Sequence, residues 1–275
     1  EAGTPAGELP PMYAIDLLGF GHAEKPGLSY TQHLWQAQLV DFVLEVMNGT
    51  DVVLVGNSIG GGLGAGAAQG IGASCKGLVL CNTAGLLLSV EEYRERKAQG
   101  KSVTEATLDG TGKPYSPVPL LGPPALDLFG KAIISNIFPQ VEGRLANLYA
   151  DRPANADPAL AYAIQQGATS PGSANVIGSG QKLAANVPLN EMLALDGDSS
   201  SGFCGPVLVA QGVNDRLSGP EAAQARADQF GTMREGVTVE KIVGGHCVQD
   251  DAPDAVARAM LSWLPEVRRW ARTGA

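Results

Sequence analysis

The chain has 275 residues, 44% of them hydrophobic and 17% charged, enough to bury one large core or one core carrying an inserted subdomain. Its 28 acidic side chains outnumber the 19 basic ones for a formal charge of −9, which argues against nucleic acid or an anionic membrane surface as partner. No apolar run reaches the roughly 18 residues a membrane span needs, and four cysteines without a C-x-x-C pair read as free thiols of a reducing compartment.

Residues 1–11 are rich in Pro, Gly and Ala and read as irregular. The chain opens on Glu1 with neither an apolar signal core nor an Arg/Ser-rich leader, which reads as a processed protein or a fragment. Met12–Leu18, MYAIDLL, is expected to be a short strand, followed by a Gly-rich loop with His22 and a Lys25-Pro26-Gly27 turn. Thr31 is placed to cap a helix reaching about Met47, with Trp35, Leu39, Phe42, Val43 and Val46 at helical spacing.

Asp51–Leu63, DVVLVGNSIGGGL, then runs from a β-branched strand through a tight turn into a small-residue helix. G-x-S-x-G on such a turn is the nucleophile-elbow pattern. A serine there sits on strained backbone, so small residues are expected two positions either side of it, at Gly56 and Gly60. The turn aims the Ile59 N–H, at the start of a helix, towards a developing oxyanion.

Lys76–Asn82, KGLVLCN, is a continuous apolar run, as expected of a parallel strand covered on both faces. From about Gly85 to Cys204 the pattern changes. A charged helix over Glu91–Ala98 is followed by a Gly/Pro-rich stretch, Asp109–Pro124, then mostly helical sequence and a polar loop, DGDSSSG, at 196–202. Alternation resumes with a strand over Pro206–Gln211, a helix over Glu221–Phe230, a strand over Val237–Val243 and a last helix from Pro253. The expected architecture is therefore α/β with a mainly parallel sheet. Residues 1–84 and 205–275 form its two parts, and 85–204 an inserted, mostly helical lid. Nine Leu, Ile and Phe residues between Leu120 and Phe138 are expected to line an apolar cavity above Ser58.

A serine hydroxyl needs a base, and the base an orienting acid. Only three histidines are available. His22 lies in a loop and His33 at the start of a helix, whereas His246 stands in Gly-Gly-His-Cys just past the last strand, where sites on parallel sheets gather. Asp215 follows the strand PVLVAQ and falls between serine and histidine in chain order. Asp196 and Asp198 compete for the acid's role but belong to a loop with no strand to fix them. Cys247 reads as packing, and Asp250 and Asp251 as charges at a helix start. The sequence offers no metal-ligand cluster, and no cofactor is expected.

In DLLGFGHAEKP (16–26), VGNSIGG (55–61), PVLVAQGVNDRL (206–217) and GGHCVQDDAPDAV (244–256) the chain resembles the α/β-hydrolase superfamily. Through LYADRPANADPALAYAIQQGATSPGSANVIGSG (148–180) it looks like plant and algal pheophytinase and chlorophyll-dephytylase-like hydrolases. The resemblance implies serine esterase activity on a small-molecule ester with a large hydrophobic group, a phytyl ester of a chlorophyll-type pigment included, and a plastid location. Two departures stand out. Arg216-Leu217 follows the acid where relatives often carry Pro and an aromatic. Relatives also place a strand with a His-Gly motif, source of the second oxyanion N–H, ahead of MYAIDLL, and only eleven residues precede Met12 here. The expectation is that MYAIDLL and DVVLVGN close up directly or the chain is poorly stable, and that its esterase activity is weak.

Two other readings stay open. G-N-S-x-G-G also looks like the carbon–carbon bond hydrolases of ring-fission diketones. A truncated or receptor-like protein could keep this fold without catalysis.

Overall fold

Four apolar runs form the four strands of one sheet: β1 (Val52–Asn57), β2 (Cys75–Cys81), β3 (Val207–Gly212) and β4 (Val237–Ile242). The computed structural model describes residues 11–28, 30–99, 123–179, 187–195 and 202–273. Among these the sheet order is β1-β2-β3-β4 and each neighbouring pair is parallel, so all four strands end on one edge. Successive residues of β2 serve opposite faces, which is why its run is unbroken. Leu78 and Leu80 join Ala65, Ala68, Val207, Val209 and Phe230 on one side. Val79 and Cys81 join Leu208, Ala210, Val256, Trp263 and Val267 on the other.

The first face is covered by α1 (Gln32–Asp41), α2 (Ile59–Ile71) and the helix Pro220–Gly231. Thr31 caps α1 by accepting the Leu34 N–H at 3.3 Å, and a π-helical turn, Phe42–Val46, extends it. The C-terminal helix Pro253–Thr273 covers the second face and lies so close to β2 that a Cβ at Gly77 would stand 2.7 Å from the Trp263 ring.

Met12–Leu18 is not a strand. A run becomes a strand only when a neighbour takes up its N–H and C=O groups, and here side chains of α1 take those at the end of the run, at Asp16 and Leu18. Gln38 accepts the Leu18 N–H at 2.8 Å and donates to Asp16 O, while Trp35 donates to Leu18 O. Met12 is 93% exposed. The segment does not close onto β1, which is the outermost strand among the described residues, with Val55 exposed on it.

Between β2 and β3 the described chain is helical, with α3 (Val90–Ala98) and further helices over Pro123–Ile137, Val141–Ala146, Pro158–Thr169, Ser173–Ser179 and Leu189–Met192. The crossing of 123–137 with 173–179 is made through glycine, because a Cβ at Gly130 or Gly178 would collide with the facing backbone of Ala174 or Leu126. This helical segment is held at two places. Val176 packs with Tyr30, Trp35 and Leu63, and Asn175 donates to Leu28 O at 3.0 Å. At the other, residues 148–155 bond to the loop after β4. Leu126 is buried, whereas Leu128 and Phe129 are exposed. Leu120, Leu121, most of the Gly/Pro-rich stretch and the DGDSSSG loop up to Ser201, with Asp196 and Asp198, lie outside the described residues. No described helix is long and apolar enough to cross a membrane. None of the four cysteines is in a disulfide, and burial pushes the Cys75 thiol up to about 12.

Candidate active site

Ser58 stands between β1 and α2 with φ 52° and ψ −120°, backbone costly for a residue with a Cβ. Its peptide groups are pinned to the end of β2 and the turn after it: the Ser58 N–H donates to Cys81 O at 2.9 Å, and the Ala84 N–H donates to Ser58 O at 2.8 Å. Ile59 is the first residue of α2, a position whose N–H has no acceptor inside its own helix.

The two glycines flanking the turn differ. A Cβ on Gly56 would collide with the Gly60 carbonyl and the Gly61 nitrogen, whereas one on Gly60 meets nothing within 4 Å. The close approach is directed, so smallness is required before the serine and not after it. Gly56→Ala is expected to cost about 3 kcal/mol through overpacking. Gly60→Ala should be neutral or stabilise by up to about 1 kcal/mol. Urea denaturation of the two variants checks the pair, and equal losses would contradict it.

The loops after β3 and β4 are laced together. The Val213 N–H donates to Ile242 O at 2.9 Å and the Asn214 N–H to Gly244 O at 3.0 Å. Across this seam His246 Nδ1 lies 2.9 Å from Asp215 Oδ2, with both side chains buried. Burial would push the Asp215 carboxyl up, but hydrogen bonds from His246, Leu217 and Asn82 outweigh it and hold the group down at about 2. An ionised carboxylate only accepts, so the shared proton sits on Nδ1 and Nε2 is left as the basic nitrogen. His22 and His33 are exposed, and the His22 N–H bonds the Asp16 carboxylate at 2.8 Å.

Three residues that sequence reasoning missed complete the arrangement. Asn57, just before Ser58, donates through Nδ2 to His246 O at 2.9 Å and to Cys81 O at 3.0 Å. Asn82, at φ 39° just past β2, donates to Asp215 Oδ2 at 3.2 Å and accepts the Gly212 N–H at 2.8 Å. A buried polar residue closing an apolar strand was the available signal, and asparagine tolerates that backbone better than most. Asp251, read from the sequence as a charge at a helix start, lies in the first turn of the short helix Val248–Asp251 but is fully buried and accepts backbone N–H groups of Ala150, Asp151, Arg152 and Gly245. Asp250 is exposed and takes the Tyr149 hydroxyl at 2.7 Å.

The strand ends thus bring Ser58, Asn82, Asp215 and His246 to one edge of a parallel sheet. The sequence profile of the Alpha/beta hydrolase family matches residues 5–259. The chain belongs to the alpha/beta hydrolase family. A curated relative, 2-hydroxy-6-oxo-6-(2'-aminophenyl)hexa-2,4-dienoic acid hydrolase of Metapseudomonas resinovorans, is 38% identical over 81 residues, 30% of this chain and 28% of that protein. The match therefore spans under a third of the relative's length. The thermophilic esterase of Thermogutta terrifontis superposes with a TM-score of 0.53 at 21% identity, over 92% of this chain and 78% of its own. The meta-cleavage product hydrolase of Pseudomonas fluorescens IP01 does so with 0.58 at 15% identity, over 91% and 78%. At such identities the two structures speak for the fold alone. In this alpha/beta hydrolase no group of His, Cys, Asp and Glu suited to a metal ion occurs among the described residues. An open cavity beside β4, lined by Asp151, Arg152, Lys241 and Arg258, includes none of Ser58, Asp215 or His246.

Proposed function

We propose that this chain is a serine hydrolase of carboxylic esters. Ser58 Oγ attacks the ester carbonyl, His246 Nε2 takes the proton and returns it to the leaving alcohol, and Asp215 holds the imidazole by its Nδ1–H. The Ile59 N–H stabilises the oxyanion, and water then releases the acid from the acyl-serine by the same steps. The observation that carries this reading is the buried 2.9 Å His246–Asp215 bond, with Asn57 joining the serine's own turn to the histidine backbone.

For the substrate we place esters carrying a large hydrophobic group first. Residues 85–204 are proposed as a lid over the strand ends, because its described helices are held at both sides of that edge and carry apolar side chains such as Leu128, Phe129 and Phe138. The phytyl ester and plastid location belong to the same proposal and rest on the resemblance of residues 148–180. A second reading, hydrolysis of a carbon–carbon bond in a ring-fission diketone, is favoured by the Metapseudomonas resinovorans relative and by the Asn57-Ser58 pair in G-N-S-x-G-G.

The test is turnover by the purified protein on p-nitrophenyl esters of rising chain length, a phytyl ester and a 2-hydroxy-6-oxodienoate, with fluorophosphonate labelling in parallel. Ester turnover that rises with chain length and is abolished by labelling at Ser58 is the expected result. Diketone cleavage without ester turnover moves the assignment to the second reading. A folded protein that neither turns over nor labels at Ser58 overturns both.

A further inference from the structure

Asp251 does not behave as a helix-start charge. Such a charge works from the surface against a helix dipole, as Asp254 can, with 71% of its side chain exposed in a pair with Arg152. Asp251 is completely buried. Its Oδ2 accepts the Gly245 N–H at 2.6 Å, the Ala150 N–H at 2.8 Å and the Asp151 N–H at 3.0 Å, and its Oδ1 accepts the Arg152 N–H. A carboxylate has about four lone-pair sites, and here four backbone donors converge on it. Three belong to residues 150–152 and one to the residue immediately before His246.

The two segments also meet through their backbones. The Cys247 N–H donates to Leu148 O at 3.3 Å, and the Asp251 N–H to Cys247 O at 2.8 Å. A Cβ on Gly245 would collide with Leu148 O. The stretch from Gly245 to Asp251, a loop running into the helical turn Val248–Asp251, is thus closed on itself by the carboxylate and pressed against residues 148–152, with His246 inside it. The only side-chain partner of the imidazole in the described structure is Asp215, which fixes one ring atom but not the backbone that carries the ring.

We infer that Asp251 is a positioning residue: its buried carboxylate ties the backbone at Gly245 to residues 150–152 and so sets where the His246 imidazole stands. Asp251→Asn keeps the volume but turns an NH2 group onto backbone donors, so part of the tie is lost. A displacement of about 1 Å at a catalytic base costs on the order of 10²-fold in rate. The turnover part of this inference rests on the ester-hydrolase reading above, whereas the placement of His246 does not.

The experiment compares wild type, Asp251→Asn and Asp250→Asn. Asp250 bonds Tyr149 and Asn155 of the same facing segment but no backbone N–H of the His246 loop through its side chain. In protein labelled with 15N-histidine, the Nδ1–H resonance of His246 is expected to shift or broaden in Asp251→Asn and to stay in place in Asp250→Asn. On an ester substrate, kcat is expected to fall about 10–100-fold in the first variant with KM within about threefold, and within about twofold in the second. An unmoved resonance with wild-type kcat in folded Asp251→Asn overturns the inference, as does an equal kcat loss in Asp250→Asn. Should Asp251→Asn fail to fold, hydrogen exchange on wild type decides. The amides of Gly245, Ala150, Asp151 and Arg152 are expected to share one level of protection, and fast exchange at Gly245 alone overturns the tie. A wild type without esterase turnover bears on the functional reading only, because the resonance and exchange measurements stand without it.

Discussion

Ser58→Ala is expected to lower kcat on an ester by roughly 10⁶-fold, the scale seen when the nucleophile of a serine hydrolase is removed. That is about 8 kcal/mol of transition-state stabilisation, more than any other single substitution should cost. Binding should survive, since the alanine keeps the backbone and the pocket, so KM or an inhibitor constant is expected to move little. The turn is also a reservoir of strain: φ 52° and ψ −120° at a residue with a Cβ costs on the order of 1–3 kcal/mol. Ser58→Gly removes that strain along with the hydroxyl. Its thermal midpoint is therefore expected to equal or exceed that of Ser58→Ala although both are inactive. Near-normal turnover in Ser58→Ala rules out the mechanism, and a Ser58→Gly variant clearly less stable than Ser58→Ala contradicts the strain argument.

Asp215→Asn is expected to lower kcat by about 10⁴-fold while the protein stays folded. The carboxylate is an acceptor on every side. Oδ2 takes His246 Nδ1, Asn82 Nδ2 and the Ser218 hydroxyl, and Oδ1 takes the Leu217 and Ser218 N–H groups. An amide NH2 at Oδ2 faces the histidine and drives the proton to Nε2, where it blocks acceptance from Ser58. An NH2 at Oδ1 faces two backbone donors, at a cost on the order of 1–3 kcal/mol. The pH dependence follows from the carboxyl's depressed value of about 2, against 3.8 ordinarily. A group depressed on folding contributes stability that is present above its unfolded value and lost as pH falls through its folded one. The stability gap between wild type and Asp215→Asn should therefore be constant above about pH 4 and shrink between pH 4 and 2. Urea titrations across that range measure it, and a gap that widens towards pH 2 would show the carboxyl is not held ionised. Because the carboxyl is held below its ordinary value, an acid limb in ester turnover above pH 4 is not expected from Asp215.

What could be read from residues alone was whatever a local period or a turn encodes. The strands over β2, β3 and β4 fall within about two residues of their expected limits, because an unbroken apolar run between turn residues has one economical solution in an α/β chain. The turn at Ser58 was readable because strand, turn and helix are contiguous, and His246 became the candidate base because only three histidines exist. Tertiary structure alone decided what depends on partners distant in the chain. Met12–Leu18 has the composition of a strand, yet strand formation needs a neighbour's backbone, and at Asp16 and Leu18 the partners are the side chains of Gln38 and Trp35 instead. Asn57 and Asn82 reach the histidine and its acid across 189 and 133 residues. Asp251 meets three of its four donors 99–101 residues away. No local pattern marks such pairs, since a buried polar side chain is specified by the donors and acceptors that folding brings to it and not by its neighbours in sequence. Gly60 makes the same point from the other side. The sequence determined that strand and helix must nearly touch at the serine turn, but only the three-dimensional direction of each Cα–Cβ bond decided that Gly56, and not Gly60, is where a side chain cannot fit.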